Sequence, residues 1–202
     1  VGGDLYQLTP ALDLYKLVLA LLNPRDPVCL FNLIDSNYIG IDLDIQGLHG
    51  LDREDQVSKL IEVLNQYFIG KLNRNWEQII SDTKIQPILM LLRNIYEGCQ
   101  PWFCYSDNEN EQKFYKANYE LVLEKIIKTY SVDYLTLNVI EHSMHINIAT
   151  KQEELARNVE NETDDIRVMC TTVHKAKGLE YGCVIMPYMG MDIASMKKAD
   201  LD

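Results

Sequence analysis

The sequence predicts a mainly α-helical chain: a helical body over residues 1 to about 150, then a small α/β segment within residues 151–202. Three observations carry this. Before residue 150, apolar residues recur at three- and four-residue spacing, the period of a helix that buries one face. Pro, Asn, Asp and Gly fall between those stretches, where caps and helix breaks place them. After residue 165 the pattern changes, and two β-rich apolar runs, 168–173 and 183–186, flank a short polar turn.

Thr9-Pro10 reads as a helix start, a capping residue followed by Pro at a position whose N–H would lack a partner anyway. Leu14, Leu17, Val18, Leu21 and Leu22 then form one apolar stripe, and Asn23-Pro24 ends it, because Pro disfavours helical backbone in the residue before it. A second short helix is predicted over 28–34, whereas 36–50, with three glycines, reads as a loop. Asp52 and Asp55 give an acidic start to a long helix reaching about residue 69, with Val57, Leu60, Ile61, Leu64 and Phe68 on its core face. Shorter helices are predicted over 76–80 and 85–96, the second ended by Gly98. A long helix over 107–130 carries Tyr115, Tyr119, Val122, Ile126 and Tyr130 on one stripe, and Ser131 is placed to cap a last helix through about residue 148. The polar stretch 151–165 connects this body to the β-rich end.

The chain has 202 residues, enough for one good-sized domain or a domain plus part of a second. Hydrophobic content of 47% and charged content of 24% are those of globular chains. No apolar run reaches membrane-spanning length and no basic stretch leads into an apolar signal core, so a cytoplasmic location is expected. The Val-Gly-Gly start, without Met, reads as a piece of something longer. Cys29, Cys99, Cys104, Cys170 and Cys183 are scattered and odd in number, which fits buried reduced thiols better than a disulfide framework. The net charge of −11 argues against broad, nonspecific binding to a phosphate backbone, which relies on Lys and Arg.

The polar turn near the C-terminus gathers Thr172, His174, Lys175, Lys177 and Glu180 within a few residues. A strand that delivers polar groups at its C-terminal end is how open α/β sheets build ligand sites. Gly178 would let the backbone approach a ligand closely or take a positive φ. A plain strand-turn-strand with solvated polar residues is the alternative. The run Thr172-Val173-His174-Lys175-Ala176-Lys177-Gly178-Leu179-Glu180-Tyr181 resembles motif V of the UvrD/Rep-type superfamily-one DNA helicases, in which Thr-x-His-x-x-Lys-Gly-Leu-Glu-(Phe/Tyr) precedes an apolar strand. The motif with its flanking strands covers about a tenth of the chain. The resemblance implies that residues 151–202 are a linker and part of the second RecA-like (P-loop NTPase) domain of a helicase, and that residues 1–150 are its inserted accessory subdomain. It also implies that Thr172 and His174 contact the phosphate backbone of single-stranded DNA, with Lys175 as a supporting charge, and that Gly178 and Glu180 face the nucleotide. Hydroxyl, imidazole and backbone amides suit phosphate oxygens without reading sequence.

A weaker similarity lies upstream. Residues 14–26, ending Asn23-Pro24-Arg25-Asp26, are similar to the helix and Asn-Pro-x-Asp turn that open the accessory insertion of this family. Residues 34–41 sit where the family carries a Gly-Ile-Gly or Ser-Pro-x-x-Gly loop, which in some members touches duplex DNA. Here its basic residue and first glycine are absent, and the loop looks nearer to the recombination-type relatives AddA and RecB.

A motor of this kind also needs a GxxxxGK[ST] phosphate loop and an Asp-Glu pair at a strand end. The sequence contains neither, so no catalytic residue is assigned and the chain by itself is expected not to hydrolyse ATP. ATP and Mg²⁺ are expected as cofactors of the full-length parent, with none in this chain alone. The expected partners are single-stranded DNA and a duplex junction, reached through the parent, and a protein partner for the acidic helical part. A non-catalytic, acidic helical interaction module is the rival reading. His142 and His145, three apart on a predicted helix, lack a convergent carboxylate or Cys, so no metal site is assigned. The Tyr stripe reads as helix packing rather than a base-stacking platform, and Trp76 and Trp102 as buried anchors.

Overall fold

The computed structural model describes residues 4–132, 135–150, 156–157 and 183–185. The chain divides into two compact units, Gly2–Thr163 and Asp164–Asp202 with Val1. Among the described residues every regular element is a helix: α1 (Thr9–Leu22), α2 (Pro27–Asp35), α3 (Ile45–His49), α4 (Arg53–Leu72), α5 (Trp76–Asp82), α6 (Ile88–Cys99), α7 (Glu109–Tyr130) and α8 (Leu137–Thr150), with 3₁₀ turns at Leu5–Gln7 and Pro101–Tyr105. The helical body is therefore as predicted. In the second unit, Cys183, Val184 and Ile185 carry no regular structure and are exposed, whereas the sequence pattern predicts a strand there. The remainder of the predicted α/β segment lies outside the described residues.

Helix α1 is the hub of the first unit, packing against α2, α7 and α8. Leu14, Leu17, Val18 and Leu21 are buried along it, while Leu22 is only half-buried. The Asn23 N–H closes it on Leu19 O at 2.9 Å. At the start of α2, Asp26 accepts from the N–H groups of Val28 and Cys29, both at 3.0 Å, which satisfies two donors that a helix start leaves unpaired. Arg53 reaches the same carboxylate at 3.1 Å and so ties the start of α4 to the start of α2. Asp52 accepts from Asp55 N at 2.9 Å, and Val57, Leu60, Leu64 and Phe68 form the buried face of α4, with Ile61 half-buried at its margin.

The α4–α5 corner is anchored by Trp76. Its ring stacks on Phe68 with centroids 5.8 Å apart and its Nε1–H donates to Pro24 O at 3.2 Å. Asn75 and Gln78 exchange hydrogen bonds at 2.9 Å to form a capping box at the head of α5.

The boundaries differ from the sequence prediction at several points. Thr9 is the first helical residue of α1 and not its cap, which is Leu8 with no side-chain hydrogen bond, and α6 starts at Ile88 behind Pro87 rather than at 85. The predicted loop 36–50 contains α3, because Asp44 accepts from Gly47 N at 3.1 Å and caps a short turn. Helix α6 runs through Gly98 and ends at Gln100, whose φ of 54° takes the left-handed region. Gly98 instead packs closely against α4: a Cβ there would meet Leu72 Cδ2, so the Leu72 side chain would have to shift, where α4 meets α6. Helix α7 starts behind Asn108, which accepts from the N–H groups of Asn110 and Glu111. Ser131, at φ 58°, terminates α7 and does not cap α8; that role falls to Thr136, whose Oγ1 accepts from Val139 N at 3.3 Å.

Candidate functional site

Thr172, His174, Lys175, Gly178 and Glu180, the residues assigned by resemblance to DNA and nucleotide, all lie outside the described residues. The polar side chains that the structure brings together belong to the helical unit, and sequence reasoning passed over most of them.

At their centre is Asp13, on α1 and 3% exposed. Its Oδ2 accepts from Asn37 Nδ2 at 2.9 Å and from the Tyr115 hydroxyl at 2.9 Å, so one carboxylate joins α1, the turn after α2, and α7. Desolvation is the largest influence on this carboxyl and raises its pKa from 3.8, against the opposing effect of its two donors and of Lys16. Burial likewise pushes up the phenols of Tyr115, Tyr38 and Tyr119, which therefore stay neutral. Tyr119 lies flat on Tyr96, with ring centroids 3.7 Å apart and planes 1° apart. The predicted stripe of α7 is thus a packing stripe, with Tyr115, Tyr119, Val122 and Ile126 buried and Tyr130 half-buried. Within it, the Tyr115 hydroxyl seats Asp13. The available signal was a charged residue inside the apolar face of α1, which is expensive unless paired.

The raised pKa gives a signed prediction. With its pKa raised on folding, Asp13 keeps its proton to higher pH in the folded chain than in the unfolded one, so this group's contribution to stability declines as pH rises from 3.8 through the raised folded value. Asp13→Asn is neutral at every pH and can still accept from Asn37 and Tyr115. Between about pH 4 and about pH 7, the stability difference should therefore move in favour of the variant, read by urea unfolding of both proteins. Parallel curves would show that Asp13 keeps its unfolded-state affinity for protons.

The turn from Ser36 to Gly40 is held from several sides. Ser36 O accepts from the N–H groups of Ile39 at 3.0 Å and Gly40 at 2.8 Å, and Gly40 takes a φ of 66°, which favours glycine. Tyr67 donates to Tyr38 O at 2.6 Å, and the Tyr38 side chain is fully buried. The exposed part of this region is Gly40, Ile41, Asp42 and Asp44, and no Lys or Arg occurs between residues 36 and 44. A phosphate backbone would meet carboxylates there.

A cleft of about 330 Å³ opens between the first turn of α1 and the start of α7, lined by Leu8, Thr9, Tyr105, Glu111, Phe114 and Tyr115. Its walls are mostly apolar, with Glu111 as the charged group. His145 Nδ1 lies 3.0 Å from the Tyr15 hydroxyl, which also donates to Glu141 at 3.1 Å, and burial followed by that carboxylate pushes the Tyr15 phenol up to about 12. His142 is exposed on the same helix. Among the described residues no three His, Cys, Asp or Glu side chains converge as metal ligands. Nor is any helix there long and apolar enough to cross a membrane.

Comparison with protein families, curated proteins and solved structures found no match for the chain.

Proposed function

We propose that the chain is part of a UvrD/Rep-like, ATP-dependent DNA helicase, comprising its helical accessory subdomain and the motif V end of its second RecA-like domain. The whole protein would translocate on single-stranded DNA and unwind duplex in repair or recombination. One observation carries this reading: the in-register run from Thr172 to Tyr181, in which Thr, His, Lys, Gly, Leu, Glu and an aromatic keep the motif's spacing. In this reading Thr172, His174 and Lys175 hold the DNA backbone, and Gly178 and Glu180 face the nucleotide. One short turn then touches both ligands, a physical route for coupling nucleotide state to grip on DNA if the turn has two arrangements that both ligands bias.

ATP and Mg²⁺ belong to the parent, since the phosphate loop that would hold them is not in this sequence. The turn near Gly40 is left out of the DNA path, because its exposed side chains are acidic or apolar. The rival reading, an acidic helical module that docks a protein, is favoured for residues 1–150 by the acidic balance of the chain, whose net charge over all 202 residues is −11.

The coding sequence read outward from both ends separates the two. The helicase reading expects a GxxxxGK[ST] loop and an Asp-Glu motif upstream and an arginine-bearing motif downstream; their absence would leave the interaction module. The 202-residue chain itself should show no ATPase activity. Any binding to single-stranded DNA should be weak and fall steeply with salt in a fluorescence-anisotropy titration. Tight binding to duplex by this chain would overturn the exclusion of the Gly40 turn.

A further inference from the structure

We propose that the carboxamide of Asn118 is a latch that fastens the chain beyond α8 to the helical body, by holding the backbone of Arg157 against α7. Asn118 is fully buried on α7, among Tyr115, Tyr119 and Val122. Its Oδ1 accepts from Arg157 N at 2.7 Å, and its Nδ2 donates to Arg157 O at 3.0 Å and to Phe114 O at 2.9 Å. Both polar groups of one backbone residue are thus paired by a single side chain, and both amide protons of that side chain are used.

The pairing is required from each direction. A buried carboxamide in an apolar stripe is costly unless satisfied, and only one of its three bonds is available from α7 itself. The other two come from a residue 39 positions away in sequence. The backbone of Arg157 in turn gains a partner for both its N–H and its carbonyl. Ala156 is buried next to this point, whereas the Arg157 guanidinium meets Glu124 at 2.9 Å on the exposed surface. Exposed ion pairs contribute little, so the attachment resides in Asn118 rather than in the charges. The body therefore holds Arg157, beyond the end of α8 at Thr150. This inference does not depend on the helicase reading. Where that reading holds, Asn118 is a positioning residue that ties the chain to the body at Arg157, ahead of Thr172 in sequence.

Nuclear magnetic resonance on the full 202-residue chain tests it. Overhauser contacts are expected between the Asn118 carboxamide protons and the Arg157 amide proton, and the Arg157 amide should exchange at least about tenfold more slowly than in a free chain. Asn118→Ala should bring Arg157 to the free-chain rate while the amides of Val122 and Leu123 keep their protection. Glu124→Gln should leave the Arg157 rate within about twofold. Free-chain exchange at Arg157 in the unaltered protein would overturn the proposal. So would protection that survives Asn118→Ala, is lost with Glu124→Gln alone, or falls on dilution, the last assigning the contact to a second copy of the chain. If Asn118→Ala does not fold, the Overhauser contacts in the unaltered chain decide.

Discussion

Glu180→Ala in the full-length parent should lower DNA-stimulated ATP turnover at least about tenfold while leaving single-strand affinity within about twofold, and His174→Ala should do the opposite. The magnitude follows from the role proposed for each group. A hydrogen bond to a charged partner contributes about 1.5–3 kcal/mol, and about 1.4 kcal/mol is a factor of ten in rate or affinity. A carboxylate facing the nucleotide acts on turnover, and an imidazole against phosphate oxygens acts on retention of the strand. The two variants must therefore split, Glu180→Ala in kcat and His174→Ala in the dissociation constant for an oligonucleotide. Unchanged ATPase and unwinding in both would remove the assigned roles, and equal losses in both measurements for both variants would point to a folding defect. Asp13→Asn is a useful companion, since it alters the helical unit at a distance in sequence and should leave both readouts alone.

The largest stability effect is expected at Trp76. The side chain is 1% exposed, stacks on Phe68 and donates to Pro24 O, so it binds α4, α5 and the turn after α1 together. Trp76→Ala leaves a cavity at that junction and strands the Pro24 carbonyl, and should cost about 3–5 kcal/mol in urea unfolding. Trp76→Phe keeps a ring against Phe68 and loses the indole hydrogen bond, so its loss should be smaller, about 1–2 kcal/mol. A Trp76→Ala loss below about 1 kcal/mol would mean that the corner collapses around the gap or that the ring is not the anchor.

How far the sequence could be read depended on whether the signal was local. Helix α1 was legible from its apolar stripe and from Asn23-Pro24 at its end, but Thr9 is its first helical residue and not its cap: the cap position is Leu8, with no side-chain hydrogen bond. The long helices α4 and α7 were legible from their stripes, and Asp52 from its position ahead of the first. Helix α3 was hidden because Gly47 and Gly50 resemble loop residues, and its cap, Asp44, lies among other acidic residues. Gly98 misled for a tertiary reason: its value lies in the approach of Leu72 from another helix, which no local pattern encodes. The Asp13–Asn37–Tyr115 junction was missed for the same reason, since its members come from three separate stretches. The run from Thr172 to Tyr181 that resembles motif V is a purely sequential signal, and it falls outside the described residues.

The tethered turn at 36–40 also bears on how the chain can be cut or tagged. A protease must draw a substrate out into an extended form, and here that would mean pulling the Tyr38 ring from the interior and breaking the Tyr67 contact to its carbonyl. Just after it, Ile41 and Asp42 are open to solvent, with Leu43 half-buried and Asp44 engaged only in capping α3. Nicking or epitope insertion should therefore succeed just after Gly40 and fail just before it, although both places carry the same loop-like composition.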